Sequence, residues 1–379
     1  MNRRGVWVLM VMSALMVLVC VPKAWGQRPP ETHPGSTTQD IVMSWDRSAM
    51  PGDIELWAPR TVLGYDHMNL GLRYGQLHLV CLSETDASRG SCPTEGVPDN
   101  TVSSNTVRLN LIEQRTSASV EILVEGSVER AHTGRGCSTS YWQGLPLVPW
   151  STFASDCGPD VPAGTGAQLK VNAKELEKLV AGHWKATLEL REDSPVASSL
   201  AIHLFSFDLT VTDHNAVSIY FPQFDSTTPL VNLDARYDPI QQTVGGRTVV
   251  DMCLYDGLGS QASYLAVTAR DISPRSAGNS GFSLWHDSSG SDPSQRLDYT
   301  VTLDHNGARV PLSNGVEEQL TGIDSSQLRL VMLPGMSQPV FCVNTPMTLD
   351  MPRVPSTSKR SGIYWGDLQL ELRVPAGTP

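Results

Sequence analysis

The 379-residue chain carries no HExxH, no GxSxG and no glycine-rich phosphate loop. Metalloprotease, α/β-hydrolase and nucleotide-binding chemistry therefore have no sequence support. Its cysteines form no CxxC pair and its histidines no HxxxH pair, so a structural zinc site is disfavoured. Positive charge is not in excess: 28 Lys and Arg stand against 39 Asp and Glu, a net of −11. An acidic chain does not bind nucleic acid nonspecifically, and no nucleic-acid partner is expected. After the first 26 residues no apolar run could span a membrane. Long helical patterns are absent too.

What is present starts with the leader. Residues 1–26 read as a signal peptide: Arg3 and Arg4, an apolar stretch, then Ala24-Trp25-Gly26, with Gln27 first in the mature chain. The apolar stretch is short for a span of roughly 20 residues, which favours cleavage over a retained anchor. Lipidation at Cys20 is disfavoured, because Leu18-Val19 precede it where small residues are expected. Removing Arg3, Arg4 and Lys23 leaves 25 basic residues against 39 acidic ones, a net of −14.

Six cysteines remain in the exported chain: Cys81, Cys92, Cys137, Cys157, Cys253 and Cys342. An even number in an oxidising compartment predicts three disulfides, among about 15 possible pairings. Spacing favours Cys81–Cys92 and Cys137–Cys157 as closures of compact loops. That leaves Cys253, inside "VVDMCLYDG", for Cys342 in "PVFCV". Cys253 is thus expected to face a core and tie two strands together.

Alternation dominates the rest. Val107, Leu109 and Leu111 share one face, as do Val120, Ile122 and Val124. Trp184, Ala186, Leu188 and Leu190 do the same, then Leu297, Tyr299, Val301 and Leu303, then Leu368, Leu370, Leu372 and Val374. Asn306-Gly307 marks a hairpin. The pattern predicts an all-β chain of antiparallel sandwiches. One helix of about three turns is expected in "NAKELEKLVAG", with Asn172 as N-cap, Glu175 at the capping-box position and Gly182 as the stop. Asp213-His214-Asn215 are turn formers with nothing apolar to bury, and are read as a linker between halves of 186 and 164 residues.

A search for chemistry finds little. "AGNSGFS" lacks the flanking residues of a serine nucleophile loop, and "DSSGSDPS" lacks the spacing of a calcium loop. No cofactor is expected and no catalytic residue is assigned. Trp184 and Trp285 lie in strand patterns and are expected in cores, whereas Trp57, Trp142 and Trp150 lie in irregular sequence and are candidates for ligand binding.

Six stretches, in order along the mature chain, carry a resemblance: "LVCLSETDASRGSCP", "GHWKATLEL", "TDHNAVSIYFPQF", "VNLDARY", "VVDMCLYDG" and "GIYWGDLQLEL". Together they resemble the tip minor subunits of class 5 chaperone–usher fimbriae, the family of CFA/I-type tip adhesins and CblD-like pilus biogenesis initiators. The resemblance implies two Ig-like β-sandwich domains in tandem: an adhesin domain over 27–212, a linker at 213–215 and a pilin domain over 216–379. It implies a pilin domain lacking one strand and completed by donor-strand complementation. The implied partners are a periplasmic chaperone, an outer-membrane usher, the N-terminal donor strand of the major pilin and a host-cell receptor, glycan among the candidates. The implied location is the fimbrial tip of a Gram-negative bacterium. The three disulfide pairs fit the family. Its receptor site uses an arginine in a Tyr-Asp-Arg stretch, where this chain has Tyr65-Asp66-His67, and a basic cluster where this chain has Arg191 followed by Glu192 and Asp193. His67, Arg73 and Arg191 are accordingly the candidate receptor-binding residues. The alternative is an exported β-sandwich lectin or carbohydrate-active enzyme outside any pilus. A periplasmic chaperone is disfavoured by the length and the cysteines.

Overall fold

The computed structural model describes residues 28–375 except 99–104, 137–139, 155, 276–280, 289, 335 and 337. The leader, Cys137 and the last four residues lie outside the described residues.

Among the described residues, eight strands build the first half: β1 (Thr37–Asp46), β2 (Ile54–Tyr65), β3 (His78–Val80), β4 (Thr106–Glu113), β5 (Ser119–His132), β6 (Pro162–Val171), β7 (Gly182–Ser194) and β8 (Ala197–Thr212). Hydrogen bonds join them in the order β1-β8-β7-β4-β5-β6-β2, with β3 on β7. The β1–β8 pair is parallel. The two ends of this path, β1 and β2, feed the same core: Ile41 and Trp45 meet Leu56 and Leu63 in one cluster with Leu109, Val124, Leu188 and Phe205. The sheet therefore folds over and packs face to face with itself. Three register shifts in the β2–β6 pair supply the bending. The alternating rows behave as expected, with Val107, Leu109, Leu111, Ile122, Val124, Leu188 and Leu190 all fully buried.

The expected helix shrinks to one turn, α1 (Ala173–Leu176). Asn172 makes no side-chain cap to it; its amide instead donates to Glu125 (2.9 Å). Glu175 is drawn away from the capping box by the Leu123 N–H (2.8 Å) and Lys178 (2.6 Å). Tertiary partners outcompete local capping here.

Fourteen strands, again among the described residues, build the second half. They are β9 (Ser218–Tyr220), β10 (Arg236–Asp238), β11 (Thr243–Val250), β12 (Cys253–Tyr255), β13 (Tyr264–Asp271), β14 (Phe282–His286) and β15 (Arg296–His305), then β16 (Ala308–Leu312), β17 (Glu317–Thr321), β18 (Leu328–Val331), β19 (Val340–Asn344), β20 (Met347–Pro355), β21 (Tyr364–Trp365) and β22 (Leu368–Arg373). Three sheets, β10-β11-β20-β15-β14-β21, β18-β19-β12-β9 and β17-β13-β22, contribute to one core. Asn306 and Gly307 turn β15 into β16 with φ of 53° and 76°, the double left-handed turn the dipeptide predicts.

Cys81–Cys92 and Cys253–Cys342 are disulfides with Cα separations of 5.2 and 5.7 Å. Cys157 is also disulfide-bonded, while Cys137 falls outside the described residues. Cys253 and Cys342 are fully buried, on β12 and on its neighbour β19. The Asp256-Gly257 turn after Cys253 faces the first half. Asp256 accepts backbone N–H bonds from Leu258 (2.9 Å), Ser260 (2.8 Å) and Ala262 (3.0 Å). Gly257, at φ 68°, hands its carbonyl to the Asp213 N–H (2.7 Å) and leaves no room for a Cβ, which would sit 2.3 Å from the Asp213 carbonyl oxygen.

Trp184 and Trp285 are core residues, as expected. Trp142 and Trp150, expected as binding candidates, are buried at 9% and 8% exposure, so they serve packing rather than a ligand platform. Trp57 is half-buried and meets His203 and Phe205 edge to face.

The last alternating row breaks the pattern. Leu368, Leu370 and Leu372 face the core yet stay half-exposed. β22 pairs with β13 and, among the described residues, with no other strand.

Candidate receptor surface

His67 and Arg73 share the loop between β2 and β3, while Arg191 lies on β7. The loop after β2 is shaped by Asp66, whose carboxylate accepts the N–H groups of Met68 (2.9 Å) and Asn69 (2.8 Å). Two short 3-10 turns follow, and Arg73 joins them in the left-handed region at φ 57°, ψ 31°. Its side chain donates to Gln76 Oε1 (3.1 Å) in an exposed setting. Gln76 in turn donates to the Thr152 carbonyl (2.9 Å), which ties this loop to the segment before β6. Met68 and Leu70, both exposed, flank the loop crest.

His67 is paired with Glu31 and stacks near Tyr65. Arg191, on β7, is gripped by Asp193 through Nε (3.0 Å) and Nη2 (2.9 Å), and also donates to the Thr94 carbonyl (3.2 Å). A bidentate carboxylate cancels much of its charge. Of the three, Arg73 is the one whose side chain is held by a neutral partner, Gln76, rather than by a carboxylate.

Beneath these residues lies a polar layer. Glu192 is fully buried, with one carboxylate oxygen 3.0 Å from His203 Nε2, and burial pushes its carboxyl up. His203 Nδ1 meets the Thr37 hydroxyl at 2.8 Å. His78, on β3, is buried against Gly96 with Nδ1 bonded to the Gln76 carbonyl (3.0 Å). Burial holds its pKa below the usual 6.5, outweighing the help of the Gln76 carbonyl and Asp193. A depressed histidine favours the neutral ring in the fold. Its stabilisation is fully present above about pH 6.5 and lost as pH falls through the lower folded value. Denaturant melts from about pH 7.5 to about pH 5 should show stability falling with acid, and His78→Asn should flatten that slope. An unchanged slope in the variant contradicts the assignment.

Arg130 is a structural residue that sequence reasoning misses. It is completely buried on β5 and donates to the carbonyls of Phe153 (2.9 Å), Leu77 (2.7 Å) and Ser151 and to the Thr165 hydroxyl (2.8 Å). Thr165 passes the bond on to the Tyr74 carbonyl (2.7 Å), next to Arg73. Burial drops the guanidinium to about 9, so it stays charged at neutral pH. One signal does exist in the strand: Ile122, Val124, Val128 and Arg130 fall at its inward positions.

At the junction, burial pushes the Asp46 carboxyl up, but the His214 N–H, Ser48 and the Thr212 hydroxyl together hold it well below the usual carboxylate range. Arg47 donates to the Leu179 carbonyl (2.8 Å) and faces Asp213 (3.6 Å). Arg115, from the β4–β5 turn, reaches the Ile323 and Ser326 carbonyls across the junction.

Residues 22–214 match the family of CfaE first domains and residues 217–376 that of CfaE second domains, CfaE being a fimbrial protein of CFA/I. The CFA/I fimbrial protein CfaE of Escherichia coli is 25% identical over 312 residues, covering 78% of this chain and 80% of that protein. The crystal structure of CfaE, described as the adhesive subunit of CFA/I fimbria of enterotoxigenic Escherichia coli, superposes with a TM-score of 0.68 at 23% identity, over 92% of this chain and 95% of that one. A chain described as part of a chaperone–tip adhesin complex vital for synergistic activation of CFA/I fimbriae biogenesis superposes with a TM-score of 0.63 at 22% identity, over 92% of this chain and 99% of that one. At these identities the two superpositions speak for the fold, a tandem of β-sandwich domains.

Proposed function

The chain belongs to the CfaE family of CFA/I fimbrial proteins, and on that premise we propose that it is a fimbrial tip adhesin that also initiates fimbrial assembly. The observation that carries the proposal is the half-covered leucine row of β22, whose strand has one neighbour among the described residues. A pilin domain missing a strand needs a chaperone strand during export and a donor strand from the next pilin afterwards. In this reading residues 1–26 are removed, 27–212 bind a host-cell receptor, 213–215 link the halves, and 216–379 receive the donor strand at the fibre tip. The outer-membrane usher passes the complex outward, and the adhesin works by binding, without catalysis.

We place the receptor surface around the 66–75 loop. Arg73 presents its cation there, Met68 and Leu70 offer apolar contact, and His67 and Arg191 border the site, each paired with a carboxylate, Glu31 and Asp193. A glycan with an acidic group suits this mixture.

Adhesion of assembled fimbriae to cultured epithelial cells is the test. Fimbriae carrying the chain should adhere, and Arg73→Ala should cut adhesion by about tenfold or more, as expected for loss of a charge-assisted hydrogen bond of about 1.5–3 kcal/mol, with the melting temperature unchanged. Fimbriae that adhere equally well after removal of 27–212 would overturn the adhesin reading. Undiminished adhesion by Arg73→Ala alone would move the site and leave that reading intact.

A further inference from the structure

Residues 28–36, which precede β1, run as a strap past the end of β2. Thr32 forms an antiparallel bridge with Tyr65, through backbone bonds of 2.9 and 2.8 Å. Pro29 is buried, and the Arg28 guanidinium donates to the Thr133 carbonyl (3.2 Å). Further along, His33 Nδ1 meets the Tyr74 hydroxyl at 3.0 Å, with the two rings edge to face. The Ser36 hydroxyl oxygen accepts the Ile202 N–H (2.9 Å). A segment fastened at this many points has a fixed path, and it carries Glu31 to one place, Nδ1 of His67.

We propose that Glu31 is a positioning residue for His67, and that His67 Nε2 is a contact for a hydroxyl group of the receptor saccharide. The His67 ring stacks on Tyr65, with centroids 6.3 Å apart and planes 21° apart. Tyr65 is fully buried and its hydroxyl donates to the His132 carbonyl (3.2 Å), so the base of the stack belongs to the core. One face of the ring is thus covered and one nitrogen is committed to a carboxylate. The hydrogen bond made by one ring nitrogen sets the role of the other. Among the described residues Nε2 makes no hydrogen bond, and His67 is only half-buried. The neighbouring carboxylate, Asp66, is engaged by the Met68 and Asn69 N–H groups. A sugar hydroxyl both donates and accepts, so it satisfies Nε2 whether the ring is neutral or charged. Through His33 and Tyr74 the same strap also reaches the far side of Arg73, and so braces the receptor loop on both flanks. The inference rests on the adhesin reading and adds a contact of a different kind: Arg73 takes an acidic group, and His67 takes a hydroxyl.

The test is a double-mutant cycle read by adhesion of assembled fimbriae to cultured epithelial cells. His67→Phe keeps a ring on Tyr65 and removes the nitrogens, and should cut adhesion by about three- to tenfold, as loss of one hydrogen bond implies. Glu31→Ala should cut it by a similar factor. Glu31→Gln should retain most of it, because the amide oxygen still accepts from Nδ1. The double variant Glu31→Ala, His67→Phe should adhere as well as His67→Phe alone, because a residue that acts only through another has nothing further to lose. Glu31 is exposed and the strap keeps its bonds at Thr32 and His33, so melting temperatures should stay unchanged in all four proteins. Undiminished adhesion by His67→Phe or by Glu31→Ala overturns the inference. So do losses that multiply in the double variant, or a Glu31→Gln protein as weak as Glu31→Ala. If Arg73→Ala fails to adhere while the Glu31 and His67 variants adhere normally, the adhesin reading stands and this inference alone falls. Fimbriae that still adhere without 27–212 end both.

Discussion

Arg130→Met should destabilise the first domain by about 3–5 kcal/mol and lower its melting temperature by about 10–20 °C. Methionine fills a similar volume but donates nothing. The carbonyls of Leu77, Ser151 and Phe153 and the Thr165 hydroxyl would lose their donor inside the protein. Each buried group left unpaired costs about 1–3 kcal/mol, and relief from desolvating a cation offsets part of the total. Adhesion should fall with stability, because the Arg130–Thr165–Tyr74 chain ends beside Arg73. Chemical denaturation monitored by tryptophan fluorescence reads the effect. A loss below about 1 kcal/mol would mean that water replaces the guanidinium, and that the clamp is not structural.

Removing the Cys253–Cys342 disulfide should have a comparable effect on the second domain. The bond closes a loop with a sequence separation of 89, for which the chain-entropy model gives about 4–5 kcal/mol. Both cysteines are fully buried, next to the turn that meets Asp213. The double substitution to alanine should leave a domain that opens during export and is cleared by proteases before it reaches a fimbria. The readout is the amount of chain recovered with its chaperone, against a Cys81→Ala, Cys92→Ala control. The bond removed in that control closes a separation of only 11, and its loss should cost less. Equal recovery of all three proteins contradicts the argument.

The alternating strands are legible in the sequence because burial on one face writes a period of two into the residues. Val107 to Leu111 and Leu297 to Leu303 follow that rule. The helix at 173–176 is shorter than its pattern predicts because Asn172 and Glu175 look like caps, while long-range partners, Glu125 and the Leu123 N–H, claim their side chains. Tryptophans in irregular sequence look available to a ligand. Trp142 is inward because its segment adds to β5, a pairing that local sequence does not encode. Arg130 obeys the inward parity of its strand, but its residue type suggests the surface, and four scattered partners must be assembled before an inward arginine makes sense. The receptor candidates rest on a family resemblance, and their charge balance becomes visible only with Asp193 and Glu31 in place.

β22 joins sequence to function most directly. Its leucines alternate as strictly as those of any buried strand, yet they remain half-exposed, as do Phe221, Phe224 and Val231 around the same core. Completing the burial of several such side chains is worth about 3–5 kcal/mol at 1.5–3 kcal/mol for each full burial. In a domain of this size that corresponds to a rise of about 10–20 °C in melting temperature. The decisive measurement is calorimetry of the full exported chain with and without the major pilin's N-terminal strand fused after Pro379 through a flexible linker. The account predicts that the second domain's transition rises by about 10–20 °C and sharpens with the strand present, while the first domain's transition stays where it was. A second domain that melts cooperatively at the same temperature in both proteins would show that its sandwich is already complete, and would contradict the central claim.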